Sequence, residues 1–137
     1  MEQFLRDQVA RRAAGRCEYC RMPESLDPMP FEVDHIKPRK HGGQSLMENL
    51  AWACFPCNRH KGPNPAGYDP LTGKLVNLFD PRRDAWEEHF QWQGPELIGQ
   101  TPTGRVTVEV LLINHSDRVA VRRDLILEAQ FPGTTQT

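Results

Sequence analysis

Four cysteines in two C-x-x-C pairs, Cys17/Cys20 and Cys54/Cys57, constrain this chain more than anything else in it. Two such knuckles can supply the four thiolates of one closed tetrahedral zinc site. The 34 positions from Cys20 to Cys54 (54 − 20) exceed the interval of an ordinary zinc ribbon. The inserted stretch carries Asp34 next to His35, and Asn58 directly follows the last cysteine. A carboxylate beside a histidine is what a metal-assisted hydrolase needs. The pattern therefore predicts one zinc that holds the fold and a second, harder cation for chemistry.

A chain of 137 residues suits a single domain, 1–137, with a modest core that a structural metal would staple. No apolar run approaches the roughly 18 residues of a membrane span, and the N-terminal MEQFLRDQ has no signal-peptide core. The expectation is a cytoplasmic protein, away from membranes, with reduced thiols, where paired cysteines bind zinc rather than form disulfides. Net charge is only −1. Residues 1–62 hold 10 Lys/Arg against 8 Asp/Glu and residues 63–137 hold 7 against 10, an asymmetry that a mixed solvated surface explains equally well.

Hydrophobic spacing predicts a helix over 2–14, with Phe4, Leu5, Val9 and Ala13 on one face. A proline-rich loop follows at 22–30. Phe31–Ile36 alternates like a short strand that Pro38 stops, and Asn49–Ala53 returns antiparallel after the His41-Gly42-Gly43 turn. Cys54–Lys61 reads as a short helix ended by Gly62-Pro63. Residues 63–78 should wrap the surface, and Asp80-Pro81 should start a helix that carries Trp86 and Phe90. Strands are expected around Ile98 and over Arg105–Ile113, with Val106, Val108, Val110 and Leu112 on one face. Ser116-Asp117 should cap a last helix with Val121, Leu125 and Ile126 inward. The spacing of Trp86, His89, Phe90 and Trp92 favours core packing over a base-stacking platform.

The ordered set Cys17-x-x-Cys20, Asp34-His35-Ile36-x-Pro38, Gly42-Gly43, Asn49-Leu50, Cys54-x-x-Cys57-Asn58 and Lys61-Gly62 closely resembles the HNH endonuclease family. The resemblance implies an α+β fold: a ββα-metal finger (core motif 17–62) stapled by a four-cysteine zinc. An N-terminal helix flanks it, and 63–137 form a strand/helix extension. It implies that His35 is the general base for the water attacking a phosphodiester and that Asp34 and Asn58 bind the catalytic cation, Mg²⁺ or another such as Mn²⁺. Asn49 would orient His35 from the second strand. Lys61 and His41 are candidates to contact phosphate, though helix and turn surfaces commonly carry such residues.

The implied activity is metal-dependent hydrolysis of DNA by a single-cation mechanism; no residue here distinguishes DNA from RNA. The rival is a non-catalytic zinc module that binds nucleic acid or protein. Such a module has no use for Asp34, His35 and Asn58 together. A regular strand points neighbouring side chains to opposite faces, so Asp34 and His35 can serve one phosphate only at a strand end.

Overall fold

The expected finger forms. β1 (Glu32–His35) and β2 (Leu50–Ala53) pair antiparallel in the computed structural model, which describes residues 1–133. The register sets Glu32 opposite Ala53 and Asp34 opposite Ala51. These two alanines keep one face of the ribbon low, and α2 (Phe55–Lys61) lies on it, so Asn58 reaches Glu32 and Lys61 reaches Asp34. Helix α1 (Gln3–Arg12) also packs on the ribbon, where Arg12 donates to the carbonyls of Met47 and Leu50. Val9 is its buried anchor, whereas Phe4, expected inward, is 65% exposed.

The C-terminal half differs from its sequence-based reading in four places. Residues 63–78 are not all loop: β3 (Ala66–Tyr68) and β4 (Leu75–Asn77) form a hairpin. Asp80-Pro81 does not start a helix. Asp80 Oδ1 accepts from Arg82 N and Asp84 Oδ2 accepts from Asp80 N, so the carboxylates hold one turn in competition with a helix. The helix begins later, as α3 (Trp86–His89), and Phe90 opens β5 (Phe90–Gln93), which pairs with β6 (Glu96–Gly99).

The Arg105–Ile113 segment is largely helix, not strand. It lies in α4 (Pro102–Val110), capped by Thr101 Oγ1 accepting from Gly104 N at 3.0 Å, with Pro102 in the first turn. Val106 and Val110 are four apart, a spacing common to both periods, and they pack on the hairpin. A Cβ at Gly67 would stand 2.7 Å from Val110 and 2.9 Å from Val106. In α5 (Ser116–Leu127) the cap is His115, the inward residues are Val119, Arg122 and Leu125, and Val121 is 50% exposed.

The extension joins the finger through the first zinc knuckle. Trp86 Nε1 donates to Tyr19 O at 2.9 Å, Phe79 meets the Tyr19 ring edge-on at 6.4 Å, and Arg82 pairs with Glu18. Trp86 stacks obliquely on Phe90 and Trp92, as core packing requires. Such buried aromatic pairs add about 0.5–1.5 kcal/mol each beyond their burial. Hydrophobic residues of both halves therefore share one core.

Candidate functional site

The two knuckles bring Cys17, Cys20, Cys54 and Cys57 together, all buried, with their sulfurs within 4.8 Å of one another. Cys20 Sγ and Cys54 Sγ are 3.7 Å apart. Sulfurs about 2.3 Å from a tetrahedral zinc would be roughly 3.8 Å apart, close to the Cys20–Cys54 separation. All four are free thiols. The shared hydrogen bonding splits the cluster: it holds the Cys20 thiol well below its ordinary range, while burial pushes Cys17 up and the neighbouring thiols push Cys54 up.

Arg118 completes this site from α5. Its Nη2 lies 3.1 Å from Cys57 Sγ and 3.8 Å from Cys54 Sγ. Burial works against its charge, but the nearby sulfurs outweigh that and raise its pKa. No spacing signal points to Arg118, which lies 61 residues beyond Cys57.

At the ribbon edge, Asp34 is 5% exposed. Its Oδ2 accepts from Tyr19 OH at 2.6 Å and its Oδ1 from Lys61 Nζ at 3.2 Å. Burial pushes the Asp34 carboxyl above its usual range, and Lys61 and Tyr19 only partly offset this. The Lys61 ammonium also donates to the carbonyls of His35 (2.9 Å) and Ile36 (3.2 Å). Lys61 is 1% exposed, and all three of its donors are engaged by Asp34 and these two carbonyls. Tyr19 was legible in principle, since it lies between two zinc ligands whose position is set.

Asp34, His35 and Asn58 all border one open depression of about 260 Å³. Among the described residues β1 pairs only with β2, and the successive residues Val33, Asp34 and His35 all line the depression. Asn58 Nδ2 donates to Glu32 Oε1 at 2.8 Å, and its Oδ1 accepts nothing among the described residues. A carboxylate offers about four lone-pair sites, so Asp34 retains acceptor capacity beside its two partners. Carboxylate and amide oxygens are the donors Mg²⁺ favours, with water and phosphate completing its shell. The residues present fit such a cation.

His35 Nε2 lies 2.9 Å from Ser45 Oγ. Burial, then Arg39 and Lys61, lower the His35 pKa below its ordinary value and favour the neutral ring. Asn49 does not touch this ring. Its Oδ1 accepts from Lys37 N at 2.8 Å while its Nδ2 donates to the carbonyls of Lys37 (3.1 Å) and Gln44 (2.9 Å). One amide thus closes the 37–44 loop that delivers Ser45. The loop tolerates no side chain at Gly43, where a Cβ would fall 1.7 Å from Lys37 O. His41 is exposed in a turn of this loop and faces a larger cleft, about 810 Å³, that Lys37, Asn49 and Arg83 also line. It does not border the Asp34/His35/Asn58 depression.

Residues 17–64 match the family model described as HNH endonuclease. The chain is 27% identical over 125 residues to the Septu protein PtuB of Bacillus thuringiensis, an overlap covering 90% of this chain and 46% of that protein. It thus spans about half the length of this curated relative. No solved structure gives a significant match. Among the described residues, no helix is long and apolar enough to cross a membrane.

Proposed function

We infer that the HNH endonuclease domain of residues 17–64 hydrolyses phosphodiester bonds in DNA with the help of one divalent cation. The observation that carries this reading is the shared depression bordered by Asp34, His35 and Asn58. Residues from a strand end and a helix border it together although two are neighbours in sequence. A zinc module that only binds a partner has no need of these three residues at one depression.

Each residue then has a task. His35 accepts the proton of the attacking water. In the tautomer whose Nε2–H donates to Ser45 Oγ, 2.9 Å away, Nδ1 keeps its lone pair for that proton. The neutral ring is favoured by burial and by Arg39 and Lys61, so the base is ready at neutral pH. Asp34 and Asn58 would hold Mg²⁺ or Mn²⁺ through a carboxylate oxygen and an amide oxygen. Bound there, the cation supplies electrostatic stabilisation of the charge developing on phosphate and the leaving oxygen. Lys61 fixes the backbone of His35 and Ile36 beneath this site, and Asn49 fixes the loop that carries Ser45. The zinc knuckle sets the start of α2 and so places Asn58, which follows Cys57 directly.

The test is cleavage of matched DNA and RNA substrates by zinc-loaded protein, with Mg²⁺ or Mn²⁺ added or withheld. DNA cut only when the cation is present supports the reading. Binding of either nucleic acid without cleavage in any cation supports the zinc module instead.

A further inference from the structure

We propose that Glu32 is a positioning residue for the cation site: by engaging the Nδ2 of Asn58 it turns the Asn58 amide oxygen toward Asp34. The inference rests on the metal-dependent reading above. Glu32 and Asp34 are two residues apart on β1 and so share the face beneath α2, roughly 7 Å from each other along the strand. Asn58 lies over this face and donates Nδ2 to Glu32 Oε1 at 2.8 Å.

The amide nitrogen and oxygen diverge from one carbon, so a nitrogen committed to Glu32 leaves the oxygen facing away from it. Glu32 does not border the depression lined by Asp34, His35 and Asn58. Asn58 therefore has Glu32 on one side and the depression on the other. Its side chain makes no other hydrogen bond among the described residues. The last torsion of asparagine is broad and roughly two-fold, so without Glu32 nothing opposes a flip that presents N–H donors to a cation. Asn58 can serve as a ligand only in one of its two amide orientations, and Glu32 selects it.

The role differs from simple attraction of a cation by a negative charge. Glu32→Gln removes the charge but keeps an acceptor for Nδ2, whereas Glu32→Ala removes both. Mn²⁺ binding to zinc-loaded protein, followed by electron paramagnetic resonance, separates them without recourse to activity. Glu32→Ala is expected to weaken Mn²⁺ binding about tenfold, within the usual range for loss of a partner behind a metal ligand. Glu32→Gln is expected to remain within about twofold of wild type on the same reasoning. Zinc content and melting temperature should not change in either variant, because the Glu32 side chain is exposed and its bond is to Asn58, not to a cysteine sulfur. Equal weakening by both variants, or wild-type binding by Glu32→Ala while Asn58→Ala is impaired, overturns the positioning role alone. Wild-type binding by Asn58→Ala, or no Mn²⁺ bound by the wild type, overturns the cation site and this inference together.

Discussion

Lys61 Nζ lies 3.2 Å from Asp34 Oδ1, and both side chains are almost wholly buried, at 1% and 5% exposure. An ammonium inside a small protein must satisfy all its donors or destabilise the fold. Here Asp34 and the carbonyls of His35 and Ile36 take them. The cost of burying the lysine is offset by fixing the strand end from which His35 projects.

Replacing one partner should therefore be expensive. Lys61→Met is expected to lose about 3–5 kcal/mol of folding stability, since it strands a buried carboxylate. Denaturant unfolding of the zinc-loaded protein measures this. The double variant Lys61→Met with Asp34→Asn should lose less than the sum of the two singles, because the pair is coupled.

The catalytic rate should rise with pH as His35 loses its proton, and then level off. The lowered His35 pKa places that midpoint below the ordinary value of about 6.5. Removing a nearby positive charge makes the imidazolium easier to form, so Arg39→Gln should shift the midpoint upward. A pH–rate profile of both proteins at saturating Mg²⁺ checks the direction. A wild-type midpoint above 7 would contradict it.

Ser45→Ala should slow cleavage about tenfold, the effect of losing a hydrogen bond of roughly 1.4 kcal/mol in the transition state. Asn49→Ala removes three bonds that close the 37–44 loop and should cost more. Single-turnover nicking rates rank the two. A larger loss in Ser45→Ala than in Asn49→Ala would show that loop closure is not what Asn49 contributes.

Much of the finger was legible because covalent spacing and polarity both point one way over 17–62. Paired cysteines, a strand stopped by Pro38 and a helix ended by Gly62 leave few alternatives. The extension is harder to read. Val106 and Val110 satisfy strand and helix periods alike, and only Thr101-Pro102 favours the helix that forms. At Asp80 a carboxylate that commonly caps helices instead closes a turn with Asp84. Within the site, side chains next to a zinc ligand or in the Asp34-His35 pair could be placed from sequence. Ser45 and Arg118 could not, because each arrives through a loop or helix whose path depends on tertiary packing. Lys61 was placed on the correct helix, but the depth of its burial depends on the low alanine face of β2.

Zinc removal should unfold the domain rather than merely inactivate it. The four sulfurs join the two ends of the finger, and structural zinc sites of this type are worth about 10–16 kcal/mol in apparent binding energy. A chelator strong enough to strip zinc should abolish the cooperative thermal transition. Arg118→Ala should release zinc about tenfold more readily in the same challenge, since its guanidinium supports the Cys57 and Cys54 sulfurs. Metal analysis and calorimetry report both effects.

The most direct measurement compares zinc-loaded wild type with zinc-loaded His35→Ala on supercoiled plasmid, with Mg²⁺ or Mn²⁺ added last. The half-buried His35 ring bonds Ser45 and none of the sulfurs, so the variant should match wild type in zinc content and nearly match it in melting temperature. The account predicts cation-dependent nicking by wild type and its loss in His35→Ala. Equal nicking by the two proteins, or none by folded wild type in either cation, would contradict it.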